Sequence, residues 1–166
     1  APAAEVPSGA ELLQGIAQSS IPFLGESQGR RALLLEFPHG EIPFAAERMT
    51  DWLLQRGILP MIAHPERNKG VMRAPSRLKP FIEQGCLLQV TASSVAGGFG
   101  PAARAIAHDL LKQGLVTILA TDAHNIDYRP PVLTDGLQQA ALLIGDAQAE
   151  ALVRQTPWQI ARGHFQ

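Results

Sequence analysis

From residue 31 onward the hydrophobic positions of the chain fall into a repeating order. The apolar run at 32–35 predicts a strand buried on both faces. Pro, His and Gly at 38–40 mark a loop. Pro43 suits the first turn of a helix and Gly57 its stop; between them Ala45, Met49, Trp52 and Leu53 make one apolar stripe. A strand over 58–63 and a loop over 64–68 follow. Ser76 can cap a helix reaching residue 84, with Gly85 as its stop. Next come a strand over 86–91, a Ser/Gly loop over 92–100 and a helix over 101–113. That helix carries Ala103, Ile106, Ala107, Leu110 and Leu111 on one face. A strand over 115–120 runs into a loop over 121–131. Helices over 133–144 and 147–155, then a helical turn from 157, end the chain. The first 30 residues show little regular pattern and read as a lead-in to one domain spanning 1–166.

Strand, loop and helix alternate about four times, which predicts an α/β fold of parallel strands with helical crossovers. An open doubly wound sheet and a barrel both satisfy this pattern. Either layout puts its chemistry at the C-terminal ends of the strands. Neither a G-x-G-x-x-G nor a P-loop sequence occurs, so the nucleotide-binding open sheets lose support.

Composition narrows the class. The 166 residues carry 14 basic and 15 acidic side chains, a net charge of −1, which argues against a nucleic-acid footprint. No apolar run approaches the ~20 residues of a membrane span. A single cysteine, Cys86, excludes an internal disulfide and fits a reducing compartment such as the cytoplasm.

Polar residues gather at the predicted strand ends. The first strand ends at Glu36 and the second at His64, with Arg67 three residues on; the fourth runs into Thr121-Asp122-Ala123-His124. In an extended segment residues i and i+2 point the same way, so Asp122 and His124 can face one site. Carboxylate oxygen with imidazole nitrogen suits Zn²⁺, Mn²⁺ or Fe. Taken singly, each has a plainer reading. Glu36 is a loop charge, His64 a hydrogen-bonded loop histidine, and Asp122 the cap of a turn. Three of the four strand ends bearing such groups shift the balance toward a metal site. Arg67 and Arg129, on the same rim, suit bidentate binding of a phosphate or carboxylate, with a surface salt bridge as the plainer role. His39, His108 and His164 fit structural or surface roles, although His39 lies only three residues after Glu36. Cys86 lacks the Arg six residues on that a cysteine phosphatase loop requires, and no G-x-S-x-G elbow exists for a serine nucleophile. Cys86 therefore reads as core.

Leu33-Leu34-Leu35-Glu36-Phe37-Pro38, Ile62-Ala63-His64-Pro65-Glu66-Arg67, Gln89-Val90-Thr91-Ala92-Ser93-Ser94 with Phe99-Gly100, and Ala120-Thr121-Asp122-Ala123-His124-Asn125 with Arg129-Pro130-Pro131 occur in this order. Together they resemble the bacterial capsular and exopolysaccharide tyrosine-protein phosphatases of the PHP (polymerase and histidinol phosphatase) superfamily. The resemblance implies a distorted parallel β/α barrel with divalent metals, most often manganese, at its C-terminal rim. It implies hydrolysis of phosphotyrosine, by a metal-activated water, on a tyrosine kinase of polysaccharide export. By match, Glu36, His64, Asp122 and His124 resemble metal ligands, and Arg67, Asp122 and Arg129 resemble the catalytic groups. Family members begin with a His-x-His strand that this sequence does not contain, so the expected fold is most of such a barrel without its N-terminal strands. Two other readings stand beside it. One is another PHP phosphoesterase, such as a histidinol-phosphate phosphatase or a polymerase-associated nuclease. The other is a truncated, non-catalytic binding module.

Overall fold

The computed structural model describes residues 5–125, 127 and 129–165. Four parallel strands form its centre: β3 (Arg30–Glu36), β4 (Ile58–Ala63), β5 (Leu87–Thr91) and β6 (Ile118–Ala120). Their register runs through Leu35↔Ile62, Ala63↔Gln89 and Thr91↔Ala120, which brings their C-terminal ends to one rim. The far edge of β3 is shared by two short strands. There β1 (Val6–Pro7) pairs parallel at Leu35 and Glu36, and β2 (Gly25–Ser27) pairs antiparallel at Arg30 to Ala32. The order is β1-β3-β4-β5-β6, and among the described residues β1 and β6 do not meet. The sheet is therefore open, as an incomplete barrel is.

The alternating faces of the strands separate two cores. Leu33, Leu35, Ile58, Ile62, Leu88, Val90 and Leu119 enter the large cluster on the helical side, with Phe81 and Leu53 fully buried among them. Burying each such side chain contributes about 1.5–3 kcal/mol. Ala32 and Met61 face the other way, where Leu24, Leu34, Leu87 and Ile118 are only partly covered. Ile160, from the C-terminal helix α9 (Gln155–Ala161), packs over one end of that face.

The helices that follow the strands are α2 (Ala46–Leu54), α6 (Gly100–Lys112), α7 (Thr134–Ile144) and α8 (Asp146–Val153), close to the expected spans. Several elements differ from the sequence-based expectation. The first 30 residues, expected to be patternless, hold β1, α1 (Ala10–Ala17) and β2. Both strands are too short for periodicity and exist because β3 offers them an edge. The expected helix over 76–84 divides into a 3₁₀ turn (Pro75–Leu78) and α4 (Lys79–Glu83), at Pro80, which has no N–H to continue the ladder. The expected loop over 92–100 begins as α5 (Ala92–Ala96), the expected loop over 64–68 holds a 3₁₀ turn (Pro65–Arg67), and α3 (Lys69–Arg73) follows it where no element was expected. Asn68 caps α3, its Oδ1 accepting from Val71 N at 3.1 Å.

Candidate metal and phosphate site

The rim is built from the last residues of the strands and the turns beyond them. His64 follows β4 at φ 29°, and Asp122 follows β6 at φ 52°, both in the left-handed region. Non-glycine residues held there are strained by about 1–3 kcal/mol, and such strain clusters at functional sites. His64 is held by its surroundings. Its N–H donates to Gln89 Oε1 at 3.2 Å, and its side chain is nearly buried. The next residues form a 3₁₀ turn (Pro65–Arg67) that places Arg67 over the rim. Glu66 anchors this turn. It is fully buried, and Oε1 accepts from Thr91 N at 3.0 Å and from Ser94 Oγ at 2.7 Å. Burial raises the Glu66 carboxyl above its ordinary pKa, against the lowering effect of those hydrogen bonds.

His64 Nε2 lies 3.2 Å from Glu5 Oε1 and 3.5 Å from Glu36 Oε1. Glu36 ends β3; Glu5 immediately precedes β1, whose pairing with β3 delivers it to the rim. Burial works against a charged His64, yet the Glu5 hydrogen bond and the charges of Glu5 and Asp122 outweigh it and raise its pKa. The hydrogen bond from His64 in turn lowers the Glu5 pKa. His39 reaches the same place because Lys69 N donates to its carbonyl at 2.8 Å and Asn68 Nδ2 donates to Pro38 O at 2.8 Å. The His39 and His64 ring centroids are 5.6 Å apart.

On the other side, Asp122 Oδ2 accepts from both Arg67 Nη1 and Arg129 Nη2, and Arg129 also donates to Asp122 O at 3.0 Å. Only 5% of the Asp122 side chain and 11% of Arg67 are exposed, so water screens this pairing little. Phe99 lies under both cations, 4.2 Å from the Arg67 guanidinium carbon and 6.0 Å from that of Arg129. His124 Nδ1 stands 3.6 Å from Asp122 Oδ1.

Two groups, Glu36–His39–His64 and Glu5–Asp122–His124, each bring three ligand atoms within 4.8 Å of one another. Oxygen and nitrogen donors in this proportion fit a borderline divalent metal. Glu5 and Glu36 bring carboxylate oxygens to His64, and Asp122 and His124 lie beside them, so these residues fit a divalent cation.

All six residues singled out from the sequence, Glu36, His64, Arg67, Asp122, His124 and Arg129, stand on this rim. Two neighbours of the site were not marked. Glu5 carries no periodic signal, since it precedes a strand of two residues. His39 offered only its distance of three residues from Glu36. His108 is structural, with Nε2 3.0 Å from Val95 O. Cys86 is buried, its thiol pushed up to about 12 by desolvation, so it is no thiolate at neutral pH.

An open, mainly parallel sheet whose rim joins carboxylates, imidazoles and two arginines defines an α/β protein with a candidate metal and phosphate site. The chain belongs to the capsular polysaccharide synthesis CpsB/CapC family, whose model matches residues 2–162. It is 38% identical over 123 residues to CapC of Staphylococcus aureus, covering 74% of this chain and 47% of CapC. It is 34% identical over 128 residues to the tyrosine-protein phosphatase YwqE of Bacillus subtilis, covering 77% of this chain and 49% of YwqE. A solved chain from the crystal structures of YwqE and of CpsB from Streptococcus pneumoniae, described as unique metal-dependent tyrosine phosphatases, superposes with a TM-score of 0.85. The two are 29% identical, and the match covers 97% of this chain and 64% of that one. The chain thus spans about half the length of the first two relatives. No helix among the described residues is long and apolar enough to cross a membrane.

Proposed function

We propose that the rim hydrolyses phosphotyrosine on a protein, as a metal-dependent tyrosine phosphatase. The observation that carries this reading is the convergence of Arg67 and Arg129 on Asp122, beside two groups of metal-ligating side chains. Glu36, His64, Asp122 and His124, with Glu5 and His39 beside them, would hold divalent metals, manganese foremost. When bound, such metals supply hydroxide at neutral pH and neutralise phosphoryl charge. The remaining work falls to the chain. Arg67 and Arg129 bind the phosphoryl oxygens and stabilise charge developing on them. Asp122 holds the two guanidiniums on one oxygen, so that their remaining N–H groups are aimed before substrate arrives. The Glu66 and Gln89 hydrogen bonds keep the His64–Arg67 turn in its strained geometry. Cys86, protonated and buried, takes no part. The protein partner is a tyrosine kinase of polysaccharide export, and the cytoplasm is the compartment in which the two meet.

A panel of phosphotyrosine peptide, histidinol phosphate and single-stranded DNA tests the substrate class. Metal-dependent release of phosphate from the peptide alone supports the proposal. Preference for histidinol phosphate or DNA assigns the site to another phosphoesterase. Metal binding with no turnover of any of the three assigns it to a binding module.

A further inference from the structure

Beside Arg129, a cleft of about 240 Å³ opens between the loop carrying Phe99 and the segment leading into α7. Ser93, Phe99, Thr121, Arg129, Pro130 and Val132 line it. Its walls are apolar on the Phe99, Pro130 and Val132 side, and Arg129 belongs both to this cleft and to the pairing with Asp122. The far wall is firmly seated. A Cβ on Gly136 would lie 2.3 Å from Ala92 O, so α7 packs against α5 with no room to spare. Val132 is 52% exposed at the mouth of the cleft, a position at which an apolar side chain gains from a partner.

Arg129 both lines this cleft and pairs with Asp122 on the rim, so a phosphate ester held by Arg129 has the cleft next to it. A short alkyl chain there would leave much of the cleft wet. A flat ring would lie against Phe99, Pro130 and Val132, with aromatic contact to Phe99. Resting on the phosphatase reading, we infer that this cleft receives the aryl ring of the phosphate ester, and that Phe99 and Val132 separate aryl from alkyl phosphates. Phe99 then has two duties. Its ring fixes the guanidiniums that take the phosphoryl group, and it forms part of the wall on which the substrate ring packs.

The test titrates the full 166-residue chain, with Mg²⁺ present, with three probes that it cannot hydrolyse: benzylphosphonate, propylphosphonate and inorganic phosphate. Methyl NMR follows Val132 and yields each Kd. The expected result is roughly tenfold tighter binding of benzylphosphonate than of propylphosphonate, with the Val132 methyls shifted by the aryl probe only. Phe99→Leu and the surface change Val132→Asp each bring the aryl-to-alkyl ratio close to one. Equal affinity of the native chain for both phosphonates, or a ratio retained in both variants, overturns the cleft assignment while phosphate binding keeps the phosphatase reading. Failure of all three probes to bind overturns both.

Discussion

Removing the Glu66 carboxylate probes the scaffold of the site more cleanly than removing any group that faces it. Glu66 is fully buried, and its Oε1 ties Thr91 N–H and the Ser94 hydroxyl to the His64–Arg67 turn. Glu66→Ala leaves Thr91 N–H and Ser94 O–H buried without their acceptor. At about 1–3 kcal/mol per unsatisfied group, the gross cost is about 2–6 kcal/mol. Relief of the buried carboxyl offsets part of this, so the expected net loss is about 2–4 kcal/mol, a large share of a typical domain's stability. Glu66→Gln keeps an oxygen for both donors but puts an amide N–H where Oε2 has no partner, so it should cost about 1–2 kcal/mol, less than Glu66→Ala. The two variants also differ in pH dependence. Because the folded pKa of Glu66 is raised, the folded state holds its proton more tightly than the unfolded chain does. Its contribution is therefore full below the ordinary carboxylate pKa and is lost as pH rises toward the folded value, at no more than about 1.4 kcal/mol per pH unit. Glu66→Gln removes that slope. Urea unfolding followed by tryptophan fluorescence from pH 4.5 to 8, in steps of about half a unit, measures both effects. A loss below about 0.5 kcal/mol for Glu66→Ala, or equal losses for Ala and Gln, would refute the role of these two hydrogen bonds.

Further outcomes follow from the same structure. Gly25 has φ +138°, and a Cβ there would fall 1.9 Å from Ile160 O; Gly25→Ala should displace α9 and cost more than about 2 kcal/mol. Gly29→Ala, at φ +71° with open space around it, should cost only about 1 kcal/mol in the same urea assay. Cys86 should resist iodoacetamide at pH 8 in the folded chain and react once urea unfolds it, and Cys86→Ser should leave phosphate release unchanged.

The parts of the fold that the sequence announces are those with a long, one-sided pattern. The stripe Ala103, Ile106, Ala107, Leu110 and Leu111 became the buried face of α6, and the apolar run 58–63 became a strand buried along its whole length. Site residues at strand ends were visible for a related reason, since parallel strands bring successive ends to one rim. What stayed hidden depends on distant partners. Val6 and Pro7 form a strand only because Leu35 and Glu36 lie opposite, and Glu5 reaches His64 through that pairing. Glu66 appears in the sequence as one more charged residue after a strand. Only its burial under Thr91 and Ser94 marks it as a brace. Phe99 likewise stood in a Ser/Gly-rich stretch, and its place beneath two arginines depends on α5 turning the chain back toward the rim.

The central claim is that the carboxylate–imidazole rim and its arginines form one metal-dependent phosphotyrosine hydrolase. Phosphate release from a phosphotyrosine peptide, by the full chain stripped with chelator and then titrated with Mn²⁺, tests it most directly. Release should return with the metal in the native chain and be absent in His64→Ala and Asp122→Ala. Release that persists in excess chelator, or that survives in both variants, contradicts it.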